Sequence, residues 1–375
     1  MKVKNPFVIT GYVGGEFFCD REQETADLVN YIENGHNIVL MSPRRMGKTG
    51  LINHVFEQDT IIADYTTFII DIYSTTNFNE MVQEMGKSII TTLERKSEKA
   101  LRAFLSVVSS LRAIMTFDIM GNPTWGIEKS SLQAPEYTLE QIFAYLENAE
   151  KPCVVAIDEF QQITRYPEKN VEAMLRTKIQ RCRNTHFIYS GSERSLLGEM
   201  FASPSRPFYM STSNMSLKPI DIDRYAKFIT NHFHAADKGI DKDVITMTYD
   251  TFEGITWYIQ KIMNKLYDMT DSGQLCSSVM LKEAVQRIVN ENSMAYADLL
   301  YQLSTRQKEL LIAIATERKA TEIKGQTFIK KYNLPAPSTI FTTIKSLMDK
   351  QLVTCTMGEY EIYDKFLAIW IQQNY

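Results

Sequence analysis

The stretch Asn37-Ile38-Val39-Leu40-Met41, followed at once by Ser42-Pro43-Arg44-Arg45-Met46-Gly47-Lys48-Thr49-Gly50, constrains this chain more than any other. A short apolar run of this kind suits a strand buried on both faces, and turn residues break it. From Lys48 onward, Leu51, Ile52, Val55 and Phe56 mark one face of a helix. The local order is strand, loop, helix. The loop fits the pattern G-x-x-x-x-G-K-[ST], with Ser42 in place of the first glycine. In such a loop the backbone N–H groups surround a triphosphate, Lys48 meets its β and γ oxygens, and Thr49 ligates Mg²⁺. The chain also contains Gly86-Lys87-Ser88, but a polar helical stretch precedes it rather than a strand, so it reads as surface helix.

Further apolar runs extend the pattern. Thr67–Tyr73 reads as a second strand followed by a helix from about 77 to 95, Cys153–Ile157 as a third, and His186–Ser190 as a fourth. Helical stretches fall near 138–149 and 169–183, and Met215-Ser216-Leu217 supplies a fifth strand. Strands alternating with helices imply right-handed crossovers and a parallel sheet covered on both faces. Ahead of the first strand, Phe17 to Ile32 has helical spacing with Asp20 as its N-cap. Between the second and third strands lies an insertion near 97–128. It reads as a helix, then Ile114–Ile119 and Trp125-Gly126-Ile127 as a hairpin about a Gly121-Asn122-Pro123 turn.

The third strand ends in Asp158-Glu159, and strand ends in open α/β sheets are where ligands collect. Beside a phosphate loop, Asp158 would hold Mg²⁺ through water and Glu159 would polarise the attacking water. The plainer reading is that the pair caps the next helix.

From Asp221 the pattern is helical, with Tyr225, Phe228, Ile229 and Phe233 on one face, and later Trp257, Ile259, Ile262, Met263 and Leu266 on another. His232 and His234 stand two apart on a helix and point to different faces, which disfavours a metal pair. Near the end, helices at 305–316 and 325–333 precede a third at Ser338–Asp349 that buries Ile340, Ile344, Leu347 and Met348. Two short strands, Leu352–Thr356 and Tyr360–Tyr363, make a wing. The whole is a winged helix-turn-helix.

Composition excludes some classes of function. Hydrophobic residues at 44% and charged residues at 23% belong to a folded globular chain, and a net charge of −4 is not that of a nucleic-acid-coating polycation. Five scattered cysteines, with no C-x-x-C pair, fit free thiols in a reducing cytosol. No apolar run is long enough for a membrane span, and the expected location is cytoplasmic.

In chain order, Asn5-Pro6-Phe7, Phe18-Cys19-Asp20-Arg21-Glu22, the loop Pro43–Thr49, Asp158-Glu159-Phe160-Gln161, Ser190-Gly191-Ser192, Gly254–Gln260 and the terminal winged helix resemble the archaeal-type ATPase family. These are P-loop ATPases related to the AAA+ and STAND groups. The resemblance implies an α/β core sheet with an extra strand between the phosphate-loop strand and the Asp-Glu strand, then a helical lid and the winged helix. The implied boundaries are 1–220, 221–295 and 296–375. It also implies ATP with Mg²⁺ as ligands, ADP as product, Ser190 or Ser192 as the γ-phosphate sensor, and Phe18 and Arg21 beside the adenine. Two departures stand out. Pro207-Phe208-Tyr209-Met210-Ser211 lacks the Gly-Arg that often follows Pro-Phe-Tyr in relatives, leaving Arg206 or Arg194 as substitutes, and Thr256 stands where relatives often have Pro.

Three classes of function remain open on these grounds: a hydrolase whose turnover drives a conformational cycle, a slow nucleotide switch, and a DNA-associated ATPase. Residues 304–375 hold ten Lys and Arg against seven Asp and Glu. Ser338, Thr339, Thr342, Lys345 and Ser346 line the polar face of the last long helix. That excess is thin for DNA, which is bound mainly through phosphate neutralisation, so an internal or protein-facing role is the leading expectation for this module. Arg44 and Arg45 could face phosphate, a partner or the protein itself, and an oligomer is compatible with the family.

Overall fold

The computed structural model describes residues 4–112, 115–117, 123–125 and 132–375. They divide into two compact units, one running to Phe228 and including Glu253–Lys261, the other made of Ile229–Phe252 and Ile262–Tyr375.

The first unit is built on a five-stranded parallel sheet. Its strands are β1 (Ile38–Met41), β2 (Thr66–Asp71), β3 (Cys153–Asp158), β4 (Thr185–Gly191) and β5 (Ser213–Ser216), in the order β2-β3-β4-β1-β5. As the family resemblance implies, β4 lies between the strand that feeds the phosphate loop and the strand that ends in Asp158. Alternate residues of each strand enter opposite cores. Ile38, Leu40, Val154, Ala156 and Ile188 pack with Leu28, Ile32, Leu51, Ile52 and Val55 of α1 (Glu22–Glu33) and α2 (Lys48–Phe56). Val39, Phe68, Ile70, Val155, Ile157, Phe187 and Tyr189 enter the other core with the helices Phe78–Lys96 and Pro135–Glu147. Burial on both faces is why these strands read as continuous apolar runs instead of alternating ones.

Under the carboxyl ends of β3 and β4 lies an aromatic cluster. Tyr189 has Phe160 at 4.6 Å, Phe201 at 5.2 Å and Phe208 at 5.5 Å between ring centroids. Such pairs add about 0.5–1.5 kcal/mol each beyond their buried area. They seat the turn that follows Asp158.

Two expectations about local structure are corrected. Asp20 does not cap α1: the N-cap is Arg21, with no side-chain cap bond, and a short 3-10 turn covers Gly15–Phe17. The Asp20 carboxylate is drawn instead to Arg224, 3.2 Å away. In the insertion, the helices Glu98–Val107 and Ser109–Arg112 lead to a hairpin in which Met115–Phe117 pairs antiparallel with Pro123–Trp125. The expected turn at Gly121-Asn122 and the pair Gly126-Ile127 lie outside the described residues.

In the second unit, helices Thr305–Glu317, Gln326–Lys331 and Pro337–Asp349 precede an antiparallel wing, Val353–Thr356 with Glu359–Ile362. A capping box, Ser304 with Gln307, opens the first of them. Ile340, Ile344 and Leu347 are buried, but Met348 is 39% exposed, against expectation. At about 100° per residue Met348 sits roughly 80° around the helix from Ile340. Thr343, on the other side of that stripe, is buried in its place.

Candidate active site

The carboxyl ends of β1, β2, β3 and β4 meet at one edge of the sheet. Asp71 pairs in register with Asp158, Leu40 with Ser190, and Met41 with Gly191. The phosphate loop leaves β1 there and enters α2 through Gly47, whose φ of 91° lies in the left-handed region and whose missing side chain faces open space. Lys48 is buried at the start of the helix, and its Nζ donates to the carbonyls of Ser42 (2.9 Å) and Pro43 (3.2 Å). Burial pulls the Lys48 pKa below its ordinary value, while Glu159 and Asp158 act to restore it.

Asp158 joins three elements. Its Oδ2 accepts from Thr49 Oγ1 at 2.6 Å, and its Oδ1 accepts from Ser190 Oγ at 2.6 Å and from the Glu159 N–H at 3.0 Å. Glu159 has φ 55° and makes no side-chain cap to the 3-10 helix that follows, so the helix-capping reading of the pair fails. Its Oε2 accepts from Ser192 Oγ at 2.8 Å and from Gln161 Nε2. Ser192 Oγ in turn accepts from Arg44 Nε at 3.1 Å. The two serines are thus separated: Ser190 serves Asp158 and Ser192 serves Glu159. Beside them, burial raises the Asp71 carboxyl above its usual range, opposed by the Tyr73 N–H and reinforced by Asp158 and Glu159.

A cavity of about 300 Å³ is lined by the loop and by apolar residues that include Tyr12, Phe18 and Ile220. The Phe18 ring stacks on His54 (4.5 Å, 26°) and lies over Gly50, where a Cβ would approach it to 3.4 Å. Tyr12 meets Phe18 edge-on at 5.7 Å, and its hydroxyl is 2.8 Å from His54 Nδ1. Burial, with Glu57 nearby, pushes the Tyr12 hydroxyl up to about 12. Arg21 lines the same cavity, but its guanidinium reaches Glu24 (2.6 Å), the Lys218 carbonyl (2.8 Å) and the Met46 carbonyl (3.4 Å). It clamps the loop.

Arg45 points into an aromatic cage. Its guanidinium carbon is 4.4 Å from the centroid of the Trp257 ring and 4.9 Å from that of Tyr258, it donates to the Tyr258 hydroxyl, and its carbonyl accepts from the Trp257 N–H at 3.0 Å. Of the alternatives open in the sequence, this is the one in which the arginine faces the protein itself. Arg206 is engaged by Glu172 and by Glu199 at 3.4 Å; neither it nor the exposed Arg194 lines the cavity.

The residues fit a nucleotide with Mg²⁺. The direct partners of the buried Lys48 ammonium are neutral carbonyl oxygens that a phosphate would replace, and the cavity lining includes both this ammonium and aromatic rings. Thr49 and Asp158 present hard oxygen donors, and among the described residues no group of three or more His, Cys, Asp or Glu is placed to hold a metal. Two protein oxygens supplemented by substrate phosphates is the usual Mg²⁺ arrangement. Tyr12 and His54 escape notice in the sequence, where the small residue at Gly15 is their only trace, and the Gly254–Gln260 segment does not announce that its Trp257 and Tyr258 form a cage. A Cβ on Gly15 would meet His54 at 3.4 Å.

Residues 18–262 match the profile of an ATPase domain found predominantly in Archaea, and residues 294–373 match that of a probable winged helix domain. The first match spans more than half of the chain, and the chain belongs to this ATPase family. Three solved structures share its fold. The Walker-type ATPase PABY2304 of Pyrococcus abyssi is 18% identical, with 98% of this chain and 99% of that one covered and a TM-score of 0.65. The ORC2 protein of Aeropyrum pernix, solved as ADPNP-ADP complexes, is 14% identical over 100% and 97%, with a TM-score of 0.59. The ORC1 protein of Aeropyrum pernix, solved in complex with DNA, is 10% identical over 99% and 96%, with a TM-score of 0.55. No curated protein matches the chain. Among the described residues no helix is long and apolar enough to cross a membrane.

Proposed function

We propose that this chain binds ATP with Mg²⁺ in the cavity above the phosphate loop and hydrolyses it slowly, the bound nucleotide setting a conformational switch. The observation that carries the reading is the convergence of Thr49, Ser190 and Glu159 on Asp158, next to a buried lysine. The loop from Ser42 to Gly50 and the N-terminus of α2 receive the phosphates. Lys48 exchanges the Ser42 and Pro43 carbonyls for β and γ oxygens. Phe18, braced by His54, offers the adenine a ring to stack on.

Thr49 and Asp158 hold the Mg²⁺, which when bound neutralises charge on the phosphates. Glu159 accepts a proton from water as the water oxygen bonds to the γ-phosphorus and the bond to the bridging oxygen breaks, releasing ADP and phosphate. Ser190 and Ser192 hold the two carboxylates in place. Slowness follows from two arginines: Arg45 is held by aromatic rings and Arg206 by glutamates, so neither is aimed at the transition-state charge.

Helices of 221–295 act as the lid, and the winged helix is a partner-facing module. A DNA-associated ATPase is the second reading, favoured by the fold shared with a protein solved on DNA. Against it, residues 304–375 carry only a thin excess of positive charge for binding phosphates, and Ser346 on the polar face already accepts from Gln307 Nε2 at 2.9 Å. ATP turnover measured with and without duplex DNA tests both. Turnover dependent on Mg²⁺ and indifferent to DNA is expected, DNA stimulation would favour the second reading, and no turnover under either condition would sink the hydrolase.

A further inference from the structure

We propose that Gln161 is the positioning residue that holds the Glu159 carboxylate in the active site, in a slot kept open by Gly191. The inference rests on the reading of Glu159 as the group that polarises water. Gln161 is 2% exposed, and its Nε2 donates to Glu159 Oε2. The other end of its carboxamide, Oε1, has no hydrogen-bond partner among the described residues. Burying a carbonyl oxygen without a partner costs stability, and such costs are concentrated where a group is held for use.

Shape seats the amide instead. A Cβ on Gly191 would lie 2.0 Å from Gln161 Oε1, 3.1 Å from its amide carbon and 2.7 Å from Leu197 Cδ1. The backbone does not explain this glycine, because Gly191 is not among the positive-φ residues. Its lack of a side chain does. Gly191 pairs with Met41 in the sheet, so the slot is built on the strand beside the one that feeds the phosphate loop.

The chemistry of the donor matters as well. A neutral amide orients a carboxylate while leaving its charge to act on water, whereas a lysine or arginine there would form an ion pair and withhold that charge. Ser192, the other donor to Oε2, is also bonded to Arg44 of the phosphate loop. Gln161 is thus the donor whose position is independent of the loop.

The test compares turnover at saturating ATP, nucleotide affinity and melting temperature in parental protein, Gln161→Met, Gly191→Ala, Glu159→Gln and the double change Glu159→Gln/Gln161→Met. Gln161→Met keeps length and burial but removes the donor. It is expected to lower kcat on the order of 10²-fold, as misplacement of a reacting group does, with affinity unchanged within about twofold. Gly191→Ala should lower kcat in the same direction, and Gln161→Met should add nothing on the Glu159→Gln background. Parental turnover in Gln161→Met would overturn the inference. So would affinity and melting temperature falling in step with kcat, or a further loss in the double variant. If Glu159→Gln itself turned over at the parental rate, the reading of Glu159 would fail first; inactive Glu159→Gln beside fully active Gln161→Met would overturn this inference alone.

Discussion

Thr49 Oγ1 donates to Asp158 Oδ2 at 2.6 Å although the strands that lead to the two residues are not neighbours. The intervening strand β4 supplies Ser190 to the other oxygen of the same carboxylate. The site is therefore assembled from three strand ends, and each can be tested separately.

Lys48→Ala should abolish the rise in melting temperature that ATP with Mg²⁺ produces, since the buried ammonium is the cation nearest the loop carbonyls. Lys87→Ala should leave it intact: Lys87 is exposed on the helix Phe78–Lys96. Equal effects would refute the assignment of the phosphate loop.

Glu159→Gln should retain ATP binding and lose about 10²- to 10⁴-fold in turnover, the range for removing a positioned base. Asp158→Asn should instead weaken the Mg²⁺-dependent part of the affinity, read by titrating ATP with and without the metal. Parental turnover in Glu159→Gln would place the base elsewhere.

Phe18→Ala should weaken ATP binding about threefold to tenfold, which is the worth of one aromatic contact, and should reduce the preference for ATP over inorganic triphosphate. An unchanged preference would mean that the base sits elsewhere in the cavity.

His54 provides a pH signature. Burial lowers its pKa below 6.5, so the folded state binds fewer protons than the unfolded chain once the pH drops below that value. Its contribution is complete above 6.5 and is lost as the pH falls through the lowered folded value. Melting temperatures between about pH 7.5 and about pH 5 should fall less steeply in His54→Gln than in the parent. Parallel slopes would show that His54 does not titrate on unfolding.

For the winged helix, the expected result is no duplex affinity at low salt, with or without ATP, while hydrogen exchange over 338–363 changes on adding nucleotide. Tight, salt-sensitive duplex binding would overturn this expectation. In that event Lys345→Glu with Lys350→Glu should weaken it and flatten the salt slope, by about 0.9 per lysine that contacts phosphate.

The strands, the phosphate loop and Asp158-Glu159 are legible in the sequence because their signals are local: apolar runs of four to six residues, a turn, a helical face. The order of those strands is not, because nothing local says that β4 will come between β1 and β3; only the family resemblance implied it. Contacts across long separations are equally silent. Arg45 and Trp257 are 212 residues apart, and no spacing rule predicts that a loop arginine will settle between rings. Which carboxylate Ser190 and Ser192 each meet is silent too, since both stand at the end of the same strand and only three dimensions separate them. Asp20 misled because the helix begins one residue later, with Arg21 as N-cap, and its carboxylate meets Arg224, 204 residues away.

The sheet order also bears on how the protein is made. The first strand of the sheet in chain order, β1, occupies an inner position, and both of its neighbours, β4 and β5, are translated after residue 184. At about 5–20 residues per second, Ile38, Val39 and Leu40 wait roughly 10–30 s for a partner. Throughout that interval the phosphate loop has no sheet to stand on, so ATP cannot chaperone the nascent chain, and an apolar segment must be shielded by other means. A ribosome-stalled fragment ending before residue 184 should therefore be protease-sensitive whether or not nucleotide is present, and protection by nucleotide should begin only once β4 and β5 have emerged.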